Sequence, residues 1–561
     1  MKIPVLKPLL IAGLSLTMLG CGSSSPVMVS TPIENIDKIP LKITPLTKTQ
    51  LHSWGAADLM TDTIPGMSIK KAYNEIIKNN TGKTVIVAVI DSGIDITHED
   101  LDGVIWKNPG EIPNNGKDDD NNGFIDDVHG WNFLGDAVKE NMEYTRIYKK
   151  LKPKFEGKPA SSISTADRGN YALYQSAKAE YDKEYNETIQ NKNQYTQIKE
   201  QLVIAHAAVS SKLGKEDYTK DELAAMSAET DQMKQYKGML MQIQNNVNEN
   251  IPEALKQLDE AIAYFSDRLD SHFNLQLDGR AIVGDNPYDI TDTKYGNNNV
   301  TGPTKDKKDI KHGTHVAGII AAERNNNKGI DGVSNNVKIM VLRAVPDGDE
   351  YDKDVALSIR YAVDNGASVI NTSFGKYFST NPEWVIDAIK YADKNDVLIV
   401  NAAGNEGIDM DNINIYPNDQ FPSTPTEIAD NFLTVGAVTY NYGSGLVAGF
   451  SNYGKKTVDV FAPGTKIWST TPNNKYEYMQ GTSMAAPEVT GVAAIIRSYY
   501  PKLSAAQVKE IIMDSGLSTS ATVQVGEEKS NKKFSELSTS GKMVNLYNAL
   551  ILADKVQNNN L

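Results

Sequence analysis

The sequence predicts an α/β fold in which helices flank a doubly wound, mostly parallel sheet. Apolar runs rich in β-branched residues recur along the chain, at 84–95, 337–345, 367–375, 396–405 and 432–439. Such runs are typical of strands that are buried on both faces of a parallel sheet. Helical stretches at 353–366 and 382–395 alternate with them. This alternation predicts a doubly wound sheet, whose functional residues gather at the carboxyl ends of the strands.

Composition limits the class of protein. The chain has 561 residues, of which 40% are hydrophobic, so it is long enough and apolar enough to bury a sizeable core. Its formal net charge of −14 argues against a nucleic-acid partner, which would require basic stripes. A negative surface of this kind suits an exported protein and cation binding.

The N-terminus indicates export. Residues 1–20 combine Lys2 and Lys7 with a short apolar run, as a signal peptide does, and Cys21 follows directly. The segment resembles a bacterial lipoprotein signal cleaved before a lipidated cysteine, although Met18 and Leu19 depart from the usual pattern. The alternative is an ordinary secretory signal with an incidental cysteine. We expect an exported lipoprotein, anchored to a membrane through Cys21, with residues 21–50 as a flexible tether.

Residues 138–290 differ from the rest of the chain. They are rich in Lys, Glu, Gln, Asn, Ala and Tyr, and the stretches 171–213 and 229–269 have the pattern of long amphipathic helices. We interpret this segment as a helical hairpin inserted into a domain formed by 51–137 and 291–555. Loop-closure entropy grows slowly with length, so such an insertion is tolerated. It is either a passive surface feature, with His206 and His272 on its helix surfaces, or an arm that binds substrate or a partner.

Three motifs carry residues suited to nucleophilic catalysis. Asp91 ends a buried strand in VIDSGID, and Ser483 in GTSMAAPEVTG precedes a helical run whose dipole favours negative charge. The stretch KHGTHVAG adds His312 and His315. A serine needs a base to become a nucleophile, and the base needs an acid to orient it. Paired histidines also occur in metallohydrolases, but here there is no H-E-x-x-H arrangement and no third ligand nearby.

DSGID, HGTHVAG, AAGNEG and GTSMAAP resemble the four signature blocks of the subtilisin-like serine proteases, the subtilases. The blocks occur in the family's chain order of acid, base and nucleophile. The resemblance covers about 51–137 and 291–552 and stops at the helical segment. It implies a subtilisin-like fold and an endopeptidase that hydrolyses protein or peptide substrates through an acyl-enzyme.

The resemblance also assigns roles. Asp91 would orient the imidazole of His312, the general base and acid, and Ser483 would be the nucleophile. Asn405 matches the side-chain donor of the oxyanion hole, whereas His315 has no catalytic counterpart and is expected to pack inside its helix. Two further segments would bind substrate, the first by pairing with an extended peptide and the second as a wall of the specificity pocket: Ser373, Phe374 and Gly375, and Ala402, Ala403 and Gly404.

An acidic loop at 116–131 predicts a structural calcium site. Its spacing matches the first half of an EF-hand-like loop, with a sharp turn at Gly123. Position twelve is His129 rather than a bidentate Glu, so Asp127, another loop or water would have to complete the site. The alternative is a solvated acidic turn without a metal. The predicted ligands are Asp118, Asp120, Asn122, Phe124 and Asp126.

Glu488 and the C-terminal stretches are further features of the sequence. Glu488 stands in the helix that follows Ser483, where a buried carboxyl group would need a partner or a raised pKa. The stretch 541–555 resembles the family's last helix, and 523–538 is expected to be a polar surface loop.

The leading function is an exported serine endopeptidase. The alternative is a subtilase scaffold that acts mainly as a surface binding protein through its helical insertion.

Overall fold

The computed structural model describes residues 30–558 except 41, 43, 248, 249, 422 and 425. The predicted signal peptide and Cys21 lie outside the described residues. The α-helices are α1 Lys48–His52, α2 Leu59–Asp62, α3 Ile69–Ala72, α4 Glu143–Phe155, α5 Arg168–Leu213, α6 Lys220–Ala225, α7 Asp231–Val247, α8 Ile251–Asp270, α9 Lys311–Ala321, α10 Asp352–Asp364, α11 Pro382–Lys394, α12 Thr482–Tyr499, α13 Ala505–Ser515 and α14 Leu546–Gln557. The strands are β1 Val85–Asp91, β2 Gly130–Asn132, β3 Val337–Arg343, β4 Val369–Thr372, β5 Leu398–Ala402, β6 Phe432–Val438, β7 Val460–Pro463, β8 Ile467–Thr471, β9 Lys475–Met479, β10 Leu517–Ser518, β11 Thr522–Val525, β12 Ser530–Lys533 and β13 Lys542–Met543.

A nine-stranded sheet forms the centre of the molecule, in the order β10-β13-β7-β6-β5-β4-β1-β3-β2. All of its neighbouring strands run parallel except the antiparallel edge pair β10–β13. Strand β1 lies between β3 and β4, so the strand order reverses there. The predicted doubly wound, mostly parallel sheet is confirmed, and the carboxyl end of β1 lies at the point where functional sites form in such sheets.

Alternating side chains explain why helices cover both faces. Val87 and Val89 of β1 belong to the large core that includes α9, α12, α13 and α14, while Ala88 and Ile90 belong to a second core with α10 and α11. Successive residues of a strand point to opposite faces, so an uninterrupted apolar run requires a core on each side. The run 85–90 therefore predicts the three-layer arrangement directly.

The helical segment is a hairpin of long helices, but it differs in detail from the prediction. Helix α5, 46 residues long, packs against both α7 and α8. The stretch 229–269 contains two helices, α7 and α8, rather than one. At the start of α8 the Asn250 side chain accepts a hydrogen bond from Glu253 N at 2.9 Å, and Pro occupies the first turn. A capping side chain and a proline that lacks an N–H start a new helix rather than continue one. Sequence periodicity alone did not reveal this break between α7 and α8.

A buried ionic cluster fixes the start of the helical segment to the sheet domain. The Arg146 guanidinium on α4 donates to the Glu143 carboxylate and, at 2.8 Å, to the carbonyl of Asp349. Lys376 Nζ lies 2.9 Å from Asp352 Oδ1 and 3.7 Å from Glu143 Oε2. All five side chains are buried. Their mutual neutralisation is what makes the burial of so many charges tolerable.

A second cluster fixes the end of the segment. Arg280 donates to Asp285 at 2.7 Å and to Asp354 at 2.8 Å, and Lys353 Nζ lies 2.6 Å from Asp285. The Tyr295 hydroxyl donates to Asp354 at 2.6 Å. Arg280 and Asp285 belong to the chain after α8, whereas Lys353 and Asp354 lie on α10. The helical segment is thus held at both ends by buried charges.

Three other expectations are wrong in part. Residues 33–37 of the predicted flexible tether lie against the domain, since Ile33 N donates to Asn548 Oδ1 at 2.8 Å and Ile36 is buried. The predicted surface loop 523–538 contains the hairpin β11–β12, in which Val523 and Val525 are buried. His272 is only 9% exposed, so it is not a surface residue. In each case only one or two residues of a polar stretch mark the packing, which is a weak signal for periodicity.

Among the described helices we find none that combines the length and the apolar character needed to cross a lipid bilayer.

Candidate active site

The acid and the base meet at the carboxyl end of β1. His312, in the first turn of α9, donates from Nδ1 to Asp91 Oδ1 at 2.8 Å and lies 3.0 Å from Oδ2. The Ser92 backbone N–H donates to the same carboxylate at 2.7 Å, which fixes its orientation. Burial would lower the pKa of His312, but the Asp91 carboxylate outweighs burial and raises it above its ordinary value of 6.5. The Nδ1–H tautomer leaves Nε2 free to accept a proton.

Gly313 allows this contact. A Cβ atom at residue 313 would lie 2.3 Å from the carbonyl oxygen of Gly93 and 3.1 Å from Asp91 Oδ1. Real Cβ atoms do not approach backbone oxygens so closely, so any side chain would push α9 away from β1. The glycine after the histidine is therefore a requirement of the acid–base contact.

The nucleophile candidate begins helix α12 beside the same cleft. Ser373, which lines the cleft together with Asp91 and His312, donates from Oγ to the Ser483 carbonyl at 3.0 Å. The Ser483 hydroxyl donates to the Ser373 carbonyl at 3.1 Å rather than to His312. Hydrogen bonds of this kind are often absent without substrate and form in the reacting complex. Asp91 and His312 line the cleft, and Ser483 adjoins it through its hydrogen bonds with Ser373.

Asn405 is held with its amide nitrogen available. Its Oδ1 accepts hydrogen bonds from Thr482 N at 2.8 Å and Thr482 Oγ1 at 3.1 Å. A Cβ atom at Gly481 would lie 3.6 Å from Asn405 Nδ2 and also 3.6 Å from Ser483 N. Both donors therefore border the same small space, which Gly481 keeps empty with a φ of 150° that side-chain-bearing residues rarely adopt. Two convergent N–H donors of this kind can bind an oxyanion.

The predicted substrate-binding segments lie next to this space. Within the described chain, the backbone N–H and C=O groups of Phe374 and Gly375 have no hydrogen-bond partner, and regular pairing resumes only where Lys376 bonds to Tyr416. An unpaired edge can accept an extended peptide as an additional strand. Ala402 and Ala403 are buried, and Gly404, with a φ of 101°, donates from its N–H to Thr482 Oγ1 at 3.0 Å.

His315 has a purely structural environment, as the sequence predicts. It is fully buried, and its Nε2–H donates to the carbonyls of Ile467 and Glu477, each at 3.1 Å. Burial lowers its pKa to about 3, so the ring is neutral. The Nε2 of His315 is thus used by two carbonyls, and the Nδ1 of His312 is used by Asp91.

The acidic loop places its side chains differently from an EF-hand. Asp118 and Asp126 accept hydrogen bonds from backbone N–H groups of their own loop. Asp120 instead lies with Glu111 and Asp127, and ligand oxygens of these three lie within 4.8 Å of one another. Phe124 packs edge-on against Trp131 and Tyr361 and donates from its N–H to Asn122. Sequence spacing did not reveal Glu111, since it lies outside the loop.

Glu488 has no partner and a strongly perturbed environment. It is 6% exposed, forms no hydrogen bond within the described chain, and has a pKa raised to about 8 by burial. A Cβ atom at Gly55 would lie 2.6 Å from Glu488 Oε1, so the N-terminal segment packs directly on the carboxyl group. Of the two possibilities that the sequence leaves for Glu488, a partner or a raised pKa, the structure favours the raised pKa.

An imidazole oriented by a buried carboxylate, next to a serine at a helix N-terminus on a doubly wound sheet, is the geometry of a serine peptidase. The subtilase family model matches residues 82–536, and the chain belongs to this family. This is a family of serine endopeptidases, and the resemblance that the four sequence blocks predict is confirmed.

Several curated proteins are similar to parts of the chain. A thermophilic serine proteinase of Bacillus sp. (strain AK1) is 42% identical over 226 residues, which is 40% of this chain and 48% of the relative. Subtilisin-like protease 1 of Plasmodium falciparum is 32% identical over 46% of this chain and 39% of that protein. Subtilisin DY of Bacillus licheniformis is 36% identical over 37% of this chain and 72% of its own length. The chain thus spans less than half of the first two relatives.

Proposed function

We propose that the protein is an exported serine endopeptidase that hydrolyses peptide bonds with Asp91, His312 and Ser483. The observation that carries the proposal is the two-oxygen contact of Asp91 with His312 Nδ1, at 2.8 and 3.0 Å, beside a serine and two convergent N–H donors. An unpaired peptide edge at Phe374 and Gly375 adjoins them. The substrates are proteins or peptides in an extended conformation.

The reaction follows from this geometry. A peptide pairs with the free edge, and Ser483 Oγ attacks the scissile carbonyl while His312 Nε2 takes the hydroxyl proton. The oxyanion is held by Asn405 Nδ2 and the Ser483 N–H. When the C–N bond breaks, His312 gives its proton to the leaving amine. Water, deprotonated by the same imidazole, then attacks the acyl-enzyme and regenerates the Ser483 hydroxyl. Asp91 stabilises the imidazolium throughout.

The test is a serine-directed organophosphonate combined with Ser483→Ala. We expect the phosphonate to label the wild type at Ser483 and to stop peptide hydrolysis, and the variant to be neither labelled nor active. A matched control is Ser92→Ala, because Ser92 lines the same cleft and its buried Oγ has no hydrogen-bond partner in the described part of the chain. Hydrolysis that persists in Ser483→Ala would contradict the serine mechanism and would favour the scaffold alternative.

We propose in addition that calcium binds at Glu111, Asp120 and Asp127. Three carboxylates suit a hard cation with oxygen ligands. The supporting observation is that Glu111 is 8% exposed and its Oε2 has no hydrogen-bond partner among the residues that the structure describes, which is costly for a buried oxygen without a cation. The ion would stiffen the loop before β2 and takes no part in hydrolysis. Asp118 and Asp126, the remaining carboxylates of the predicted set, would serve as loop-forming residues.

The cellular location is proposed from the N-terminal sequence. A signal peptide and a lipidated Cys21 would place the enzyme on a membrane surface of the cell envelope. Metabolic labelling with an alkynyl fatty acid tests this directly. Incorporation that is lost in Cys21→Ser supports the anchor, and equal incorporation by both proteins would contradict it.

A further inference from the structure

A cleft of about 760 Å³ opens beside His312, and the helical segment forms part of its wall. Its apolar surface comes from Val138, Val345 and Pro346. Asp267, near the end of α8, and Lys139 also line it, so the segment borders the same cleft as His312. The wall residues of the proposed specificity pocket, 402–404, do not line this cleft. It is therefore a second place where a substrate side chain can lie.

The charges around the cleft do not cancel. Lys139 pairs with Asp267, and Lys308 pairs with Asp306 at 3.0 Å. Two further carboxylates of the cleft have basic partners. Asp309 lies 3.5 Å from Arg343, and Asp91 accepts a hydrogen bond from His312.

Asp347 is a further carboxylate of the cleft, and among the described residues no lysine or arginine pairs with it. It is about half exposed, and its Oδ1 accepts a hydrogen bond from His272 Nε2 at 3.1 Å. That bond lowers the pKa of Asp347, so the group is ionised at neutral pH. Lys139 also lowers this pKa, but it already pairs with Asp267. The cleft therefore combines apolar lining residues with a carboxylate that no lysine or arginine of the described chain neutralises.

We propose that this cleft binds a lysine or arginine side chain of the substrate, close to the scissile bond. The aliphatic stem would cover Val345 and Pro346, and the cationic end would lie beside Asp347, with Asp267 as its second carboxylate neighbour. The inference rests on the proposed endopeptidase function and adds a substrate preference to it. It also gives the helical segment a role, since Asp267 and His272 both come from the end of that segment.

The experiment scans lysine, norleucine and glutamate through the three positions on each side of the scissile bond of one peptide. Norleucine keeps the aliphatic stem without the charge. We expect kcat/KM to be about three- to fivefold higher for lysine than for norleucine at one position, the size of a half-exposed ion pair, with glutamate lowest. The lysine advantage should shrink in high salt, because salt screens exposed charges.

Asp347→Asn and the double variant with Asp267→Asn should remove the lysine advantage. Asp430→Asn, an exposed carboxylate without a side-chain hydrogen bond in the described chain, should leave it intact. Equal rates for lysine and norleucine in the wild type, or an advantage that survives the double variant, would overturn this inference alone. A folded wild type that hydrolyses no peptide and resists the phosphonate would overturn the proposed function as well.

Discussion

The sheet domain and the helical segment are stabilised in different ways. The sheet is covered on both faces by continuous apolar cores, whereas the helical segment has two small clusters, one near its tip and one at its base. Its helices carry many exposed ion pairs, each of which contributes little. Buried ionic clusters around Arg146 and Arg280 join the two regions. The segment is therefore joined to the domain by buried ionic groups, which neutralise one another only when the two regions are packed together.

The largest expected effect tests whether the sheet domain carries the chemistry. His312→Ala should lower kcat/KM by about 10⁴-fold or more, because no other group accepts the Ser483 proton. His315→Ala should retain most activity but lose stability, since it leaves a cavity and two buried carbonyls without a donor. Peptide hydrolysis and thermal melting measure the two effects separately. Equal loss of activity in both variants, with native melting, would contradict the division of roles.

The second prediction concerns the junction. Deleting residues 140–285 removes the ionic partners that the segment supplies to Lys376, Lys353 and Asp354, which are Glu143, Asp285 and Arg280. Each broken buried pair costs about 3–5 kcal/mol against a total stability of about 5–15 kcal/mol. We expect no folded protein, measured by circular dichroism and gel filtration.

A shorter deletion is the matched control for the junction. The ring centroids of Tyr195 and Phe265 lie 5.6 Å apart on α5 and α8, so a short Gly-Ser linker can replace 196–264. This change removes the tip cluster and keeps both ionic clusters and Asp267. The shortened protein should fold and hydrolyse peptides. A folded, stable 140–285 deletion would show that the junction charges are dispensable.

The third prediction uses the buried carboxyl group of Glu488. Its folded-state pKa of about 8 lies above the ordinary value of 4.5. Between these values the folded state keeps the proton that the unfolded state has lost, so stability falls by about 1.4 kcal/mol per pH unit as pH rises, and levels off above about 8. Glu488→Gln should remove this decline and gain stability over the wild type as pH increases. Denaturant unfolding at several pH values measures it, and parallel curves would contradict an unpaired buried acid.

The smallest effect separates the two ligand sets for calcium. Saturating calcium should raise the free energy of unfolding by about 2.7 kcal/mol when its concentration is 100 times Kd. Glu111→Gln should abolish most of this increment, whereas Asp118→Asn should retain it, because Asp118 is used by loop N–H groups. Thermal melting with calcium and with a chelator provides the measurement. The reverse order of the two variants would restore the EF-hand-like ligand set.

Sequence reasoning succeeded where local pattern and structure coincide. Buried strands read as uninterrupted apolar runs, and the residues that end β1 and β5 or begin α9 and α12 sit in short motifs whose geometry is local. It failed where one residue decides the outcome. Pro252 splits a helical pattern without disturbing its periodicity, and Ile36 anchors a polar stretch that otherwise has the composition of a linker.

Local sequence pattern is enough to predict the sheet, the order of the motif blocks and a difference between His312 and His315. The folded chain shows in addition that Glu111 lies with Asp120, that Glu488 has no hydrogen-bond partner among the described residues, and that Asp267 of the helical segment lines the cleft beside His312. The directions in which side chains point along a strand or helix depend on position in the sequence alone. Burial and Coulomb interaction depend on distance in space, and the chain brings these groups together only after it has folded.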